Sequence, residues 1–219
     1  MFYFWEEEIS SVLMKQSLSP KEQSQYEQLS EKKQPDWLAG RIAAKHIISQ
    51  MIRNQWHREV APIDIEIISD SHTRPDFRIL HHDDIVFHSE YSLSLSHTKG
   101  KAIAGLSLIE ETGYVGVDIE HDRECTEAFS RSFLTPKEYD SCIRYHIPFL
   151  QIWCYKEAFL KAIGAGLALH PHAIETTINN RGELLSLIQD GQERRIRPEK
   201  LSFPGCPFGA ILYVEPYGE

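Results

Sequence analysis

Asp118 and Glu120 stand two apart in Tyr114-Val115-Gly116-Val117-Asp118-Ile119-Glu120, and on a strand such residues share one face. Two residues of rise put them about 7 Å apart, close enough to share one hard cation. Val115, Val117 and Ile119 would then face a core. Taken alone, the pattern equally describes an acidic strand face turned to water. A second group lies at Trp153, Glu157 and Lys161, spaced i, i+4 and i+8, so that on a helix they form one stripe. Alone, Glu157 and Lys161 would be a surface ion pair supplying about 0.3–0.5 kcal/mol. An anionic ligand would need a local cluster of Lys and Arg.

These residues need strands and helices to hold them. Leu18-Ser19-Pro20-Lys21-Glu22 reads as a helix start, with Ser19 as cap and Pro20 in the first turn. Pro35-Asp36-Trp37 opens a second helix, on which Arg41 and Lys45 share a face. After Pro62 the segment 63–67 alternates like a half-buried strand. Residues 91–109 read as two strands joined at Thr98-Lys99-Gly100, with Leu93 and Leu95 inward and Ser92, Ser94 and Ser96 on the other side. A third strand follows at 114–120. Helices are then expected over about 126–165, closed by Gly164 and Gly166, and strands near 174–178 and 210–214. The order suggests two halves, each with helices beside a small antiparallel sheet, and hence an α+β protein. No repeat is evident in the residues themselves. The boundary falls near 112, giving an N-terminal half at 1–112 and a C-terminal half at 113–219.

The 219 residues carry a net charge of -9, which argues against a general nucleic-acid binder. With 42% hydrophobic residues there is material for a core. Cys125, Cys142, Cys154 and Cys206 show no C-x-x-C pairing, so zinc is not expected. The N-terminus combines aromatics with Glu6, Glu7 and Glu8, unlike a secretion signal, and no apolar run suits a bilayer. A cytoplasmic protein with reduced thiols is the expectation.

A D-x-E strand, a Phe133-Leu134-Thr135-Pro136 helix entry, then W-x-x-K-E-A-x-x-K with G-x-G-L behind it resembles the 4′-phosphopantetheinyl transferases. The closest likeness is to the larger single-chain type serving carrier proteins of peptide, polyketide and fatty-acid synthesis. The resemblance implies a pseudo-dimer of two similar halves with coenzyme A between them, the N-terminal half binding coenzyme A and the C-terminal half metal-binding and catalytic. It implies that Asp118, Glu120 and Glu157 coordinate Mg²⁺, with Mn²⁺ as the alternative. It further implies that Ser96 and His97, in Leu95-Ser96-His97-Thr98, contact phosphates of coenzyme A. Arg74 and Pro75 resemble a segment near the nucleotide, although the family's usual Gly is Thr73 here. Arg41, and less strongly Lys45, match a helix that approaches the 3′-phosphate.

The implied reaction moves the 4′-phosphopantetheine arm to a serine of an acyl or peptidyl carrier protein and releases 3′,5′-adenosine bisphosphate. Glu157 is the implied base, Lys161 steadies the leaving charge, and Lys156 either shares that task or faces solvent. A non-catalytic coenzyme A or nucleotide-binding regulator and a metal-dependent phosphohydrolase are the competing readings. A monomer is expected, since the second half supplies the interface that a smaller relative builds between chains. Three other groups read as inert: His81-His82-Asp83-Asp84 as a surface loop, His170-Pro171-His172 as a turn, and Phe2-Tyr3-Phe4-Trp5 as the start of a packed strand.

Overall fold

The computed structural model describes residues 2–6, 16–69, 74–81 and 90–216. Part of the 81–84 histidine-aspartate run therefore lies outside the described residues, as does Thr73. The first strand, β1 (Phe2–Glu6), precedes two helices, α1 (Pro20–Gln28) and α2 (Gln34–Trp56). Ser19 caps α1 with a full capping box to Glu22. A 3-10 turn at Pro62–Asp64 delays the next strand, β2 (Ile65–Ile68), by two residues against the alternation, and leaves Ile63 exposed. Strands β3 (Asp76–Ile79), β4 (Tyr91–Thr98) and β5 (Lys101–Leu108) follow, and a single helical turn, α3 (Ile109–Thr112), leads into β6 (Tyr114–Glu120). The expected helical stretch is three helices: α4 (Glu127–Phe133), α5 (Pro136–Tyr145) and α6 (Phe149–Ile163). Strand β7 (Ile174–Ile178) falls where alternation places it, and β11 (Cys206–Val214) extends four residues before its expected start. Sequence reading missed β8 (Leu184–Gln189), β9 (Gln192–Glu193) and β10 (Ile196–Phe203). The class is α+β, with every strand pair antiparallel.

Two three-stranded sheets dominate, in the orders β1–β5–β4 and β6–β11–β10. Each places its first strand beside its last, with the penultimate strand outermost. Helix α2 buries Ala43, Ile47, Ile48 and Met51 in the core of the first sheet. Helix α6 buries Cys154, Ala158, Phe159 and Ala162 in that of the second. A third cluster joins the two sheets through Ile103, Val115, Val117, Ile119, Cys206, Ile211 and Tyr213.

Along this seam the serines of β4 act as a ladder. The backbone N–H groups of Val115, Val117 and Ile119 donate to the hydroxyls of Ser92, Ser94 and Ser96 at 3.1, 3.0 and 3.2 Å. Each such bond contributes about 1 kcal/mol net, against about 1.5–3 kcal/mol for each large apolar side chain buried beside it. The apolar cluster therefore supplies most of the attraction, and the serines fix the register of β6 on β4. The polar face read for these serines is thus real but turned inward: all three are buried.

The structure also uncovers a repeat. Leu18-Ser19-Pro20-Lys21-Glu22 and Leu134-Thr135-Pro136-Lys137-Glu138 differ only in Ser for Thr, and both cap a helix with the same box. Each buried glutamate meets a buried lysine of the long helix: Glu22 with Lys45 at 2.6 Å, Glu138 with Lys156 at 2.7 Å. Each also accepts from a following strand, Glu22 from Ile67 N and Glu138 from Thr176 N. The lysines find matching carbonyls as well, Ser17 and Pro62 for Lys45, Phe133 and Pro171 for Lys156.

Candidate active site

Strand β6 and helix α6 run antiparallel, so the stripe on α6 meets the acidic end of β6. The contact is tight because Gly116 has no side chain. A Cβ there would lie 1.7 Å from the Ala158 carbonyl oxygen and 2.8 Å from Ala162 N. Gly116→Ala is expected to cost about 3 kcal/mol in urea unfolding by forcing the helix off the strand. Near-wild-type stability would contradict this packing.

Trp153 Nε1 donates to Glu120 Oε1 at 3.1 Å, and its ring packs against Phe129 and Phe133 of α4. Two turns on, Lys161 Nζ donates to Asp118 Oδ1 at 2.7 Å and to the Val117 carbonyl at 3.1 Å. Ser96 donates to the same Oδ1 at 2.9 Å. Asp118 Oδ2 is buried and has no hydrogen-bond partner. Glu157 lies between Trp153 and Lys161 on the stripe.

Burial raises the pKa of Glu157 first, and the charges of Asp118 and Glu120 add to it, while Lys161 opposes. Burial likewise raises Glu120, with Asp118 adding and Arg123, Trp153 and Lys161 opposing. Both groups therefore favour the folded state when protonated, at pH below the ordinary carboxylate range. That contribution is lost as the pH rises through their elevated values. At neutral pH the three carboxylates repel one another.

Such a set fits a hard dication, which would offset that repulsion. The orphaned Asp118 oxygen and the all-oxygen donor chemistry support the fit. Among the described residues, no three His, Cys, Asp or Glu side chains already converge as a ligand set, so the carboxylates would have to draw together.

Two basic residues, His97 and Arg41, border the acidic group. His97 stands exposed at the end of β4, beside Gly40 of α2. The protein around the ring still displaces water from part of it, which lowers its pKa; Asp36 opposes, and Lys161 and Arg41 add to the lowering. Arg41 is nearly buried; it donates to Ser69 Oγ at 2.7 Å, lies 3.6 Å from Glu22 and covers the Trp37 ring. Arg74 lies elsewhere. Its guanidinium stacks 3.8 Å from the Tyr114 ring centroid and donates to the Ile163 carbonyl, while its Nε is buried without a partner. With Pro75 it lines a cavity of about 490 Å³ at the far end of β6, four residues or about 13 Å of strand from Asp118.

The structure thus gathers Ser96, His97, Asp118, Glu120, Glu157 and Lys161, with Arg41 behind them. Two of the expected contacts lie apart from this group. Lys45 and Lys156 are 1% and 0% exposed, and the ammonium of each is enclosed by carbonyls and a glutamate. Neither has a hydrogen left for a phosphate. Lys99 and Lys101 are the turn and strand start, and Lys101 donates to the Pro204 carbonyl. Trp153, as the partner of Glu120, and Gly116 went unrecognised as parts of the site. A glycine inside a strand was the available signal for a close approach.

A β-strand ending in two carboxylates and a helix supplying a third with a lysine thus come together at Asp118, Glu120, Glu157 and Lys161. A family model for the 4′-phosphopantetheinyl transferase superfamily matches residues 114–201, the stretch from β6 into β10 that holds all four of these side chains. The chain is 33% identical over 96 residues to a holo-[acyl-carrier-protein] synthase of Geobacillus kaustophilus, covering 44% of this chain and 70% of that protein. It is 32% identical over 91 residues to a holo-[acyl-carrier-protein] synthase of Oceanobacillus iheyensis, 42% of this chain and 72% of that one. The chain belongs to the 4′-phosphopantetheinyl transferase superfamily.

Proposed function

We propose that this protein transfers the 4′-phosphopantetheine arm of coenzyme A to a serine of an acyl or peptidyl carrier protein, releasing 3′,5′-adenosine bisphosphate. The observation that carries the reading is the Asp118–Glu120–Glu157 group with Lys161, closed by Ser96 from the other sheet. Asp118, Glu120 and Glu157 would hold Mg²⁺, or Mn²⁺ in its place, which when bound neutralises charge on the pyrophosphate. Glu157 accepts the serine proton. Lys161 steadies charge on the departing phosphate. Arg41 and His97 bind phosphates of coenzyme A, and Arg74 with Pro75 meets the nucleotide, so the ligand lies extended along β6.

The N-terminal half, 1–112, and the C-terminal half, 113–219, form a pseudo-dimer in this account. The matching sheet orders and the repeated Glu22–Lys45 and Glu138–Lys156 clamps support it. The same pairing supports a monomer, since the seam lies within one chain. The reaction suits the cytoplasm, where coenzyme A and carrier proteins meet. Among the described residues no helix is long and apolar enough to cross a membrane.

Chromatography of coenzyme A incubated with the protein and Mg²⁺, with and without an apo carrier, tests the reading. Release of 3′,5′-adenosine bisphosphate only with carrier, one for one with its modification, is expected. Release without carrier means hydrolysis, and binding without release means a regulator.

A further inference from the structure

Ser96 has one hydroxyl hydrogen to give, and Asp118 Oδ1 takes it at 2.9 Å. One of its lone pairs is engaged by Ile119 N at 3.2 Å, and only 6% of the residue is exposed. A phosphate oxygen accepts hydrogen bonds and cannot donate them, so Ser96 as it stands has nothing to offer a phosphate. What it does hold is a carboxylate. Lys161 Nζ occupies the same Oδ1 at 2.7 Å, and the two donors together pin one oxygen of Asp118. The other, Oδ2, stays buried with no partner.

Resting on the transfer reading above, we propose that Ser96 is a positioning residue which fixes the Asp118 carboxylate by Oδ1 and leaves Oδ2 for a divalent cation. The metal centre is then completed across the seam, with β4 of one sheet orienting a ligand on β6 of the other. Ser94 supplies the control. It accepts from Val117 N at 3.0 Å in the neighbouring rung, so its loss loosens the seam by the same kind of bond without touching Asp118.

The test is Mn²⁺ binding to the full chain with coenzyme A present and no carrier, read from the electron paramagnetic resonance of free Mn²⁺. Removing a hydrogen-bond partner of a metal ligand weakens affinity by about 10–100-fold. Ser96→Ala should therefore raise the Mn²⁺ dissociation constant about tenfold, with the dissociation constant for coenzyme A within about twofold of wild type. Ser94→Ala should leave Mn²⁺ binding unchanged. Ser96→Cys, close in size but a weaker donor, should give a smaller shift in the same direction, and carries the test if the alanine variant does not fold.

A raised coenzyme A dissociation constant with unchanged Mn²⁺ affinity would make Ser96 a ligand contact and overturn the proposal. An equal Mn²⁺ loss in Ser94→Ala would assign the effect to the seam and overturn it too, as would a wild-type chain that binds no Mn²⁺. Mn²⁺ binding by wild type with no carrier ever modified would sink the transfer reading and leave the Ser96 result standing.

Discussion

Glu157→Gln is expected to lose transfer activity, with kcat falling by about 10²–10⁴, the range a positioned general base supplies, and further if metal binding fails with it. The same change leaves the fold intact or slightly firmer. Burial raises the pKa of Glu157, so above that elevated value its ionised carboxylate works against folding. Glutamine removes that opposition at neutral pH. As the pH falls below the ordinary carboxylate range, the wild-type group is protonated as well and the two proteins converge in stability. Steady-state rates with saturating carrier, alongside melts at pH 7 and pH 4, check both halves of the expectation. Normal turnover in the variant would return Glu157 to the helix surface.

The second large effect is on stability, at a residue that sequence reading had assigned to the ligand. Lys156→Met strands a buried Glu138 carboxylate and removes the only ammonium shared by the Phe133 and Pro171 carbonyls. Removing one partner of a buried pair costs about 3–5 kcal/mol. Urea unfolding should show that loss, and the double variant Lys156→Met with Glu138→Leu should recover part of it. Lys45→Met should behave alike in the first half, where Lys45 bonds three carbonyls as well as Glu22. Lys161→Met should do the opposite, lowering kcat with less effect on the melt, since Lys161 is about a quarter exposed. A stable Lys156→Met with a raised coenzyme A KM would reinstate the ligand role.

The acidic site was legible because period rules place it. Alternation put Asp118 and Glu120 on one face, and the four-residue spacing put Trp153, Glu157 and Lys161 on one stripe. That strand and stripe would meet was implied by the family resemblance and not by the period. Arg41 and Lys45 show the limit of the same rules. They share a helix face, and both reach Glu22, but spacing cannot tell a face turned toward a ligand from one turned toward a buried glutamate 19 and 23 residues earlier. The serine ladder was hidden for a related reason. Alternation in β4 assigns the serines to a second face without naming what covers it, and β6 begins more than 20 residues after the first rung. The repeat escaped because only its five-residue core is alike. The lysine follows 23 residues after Glu22 but 18 after Glu138, so loops and helices of unequal length obscure the match until Nζ and carboxylate are seen together.

The most direct test of the account is the intact mass of an apo carrier protein after incubation with coenzyme A, Mg²⁺ and this chain. Wild type is expected to add one phosphopantetheine arm to the carrier serine, and Glu157→Gln to add none on the same timescale. A carrier that gains no mass while coenzyme A is cleaved, or that gains it equally fast with Glu157→Gln, would contradict the account.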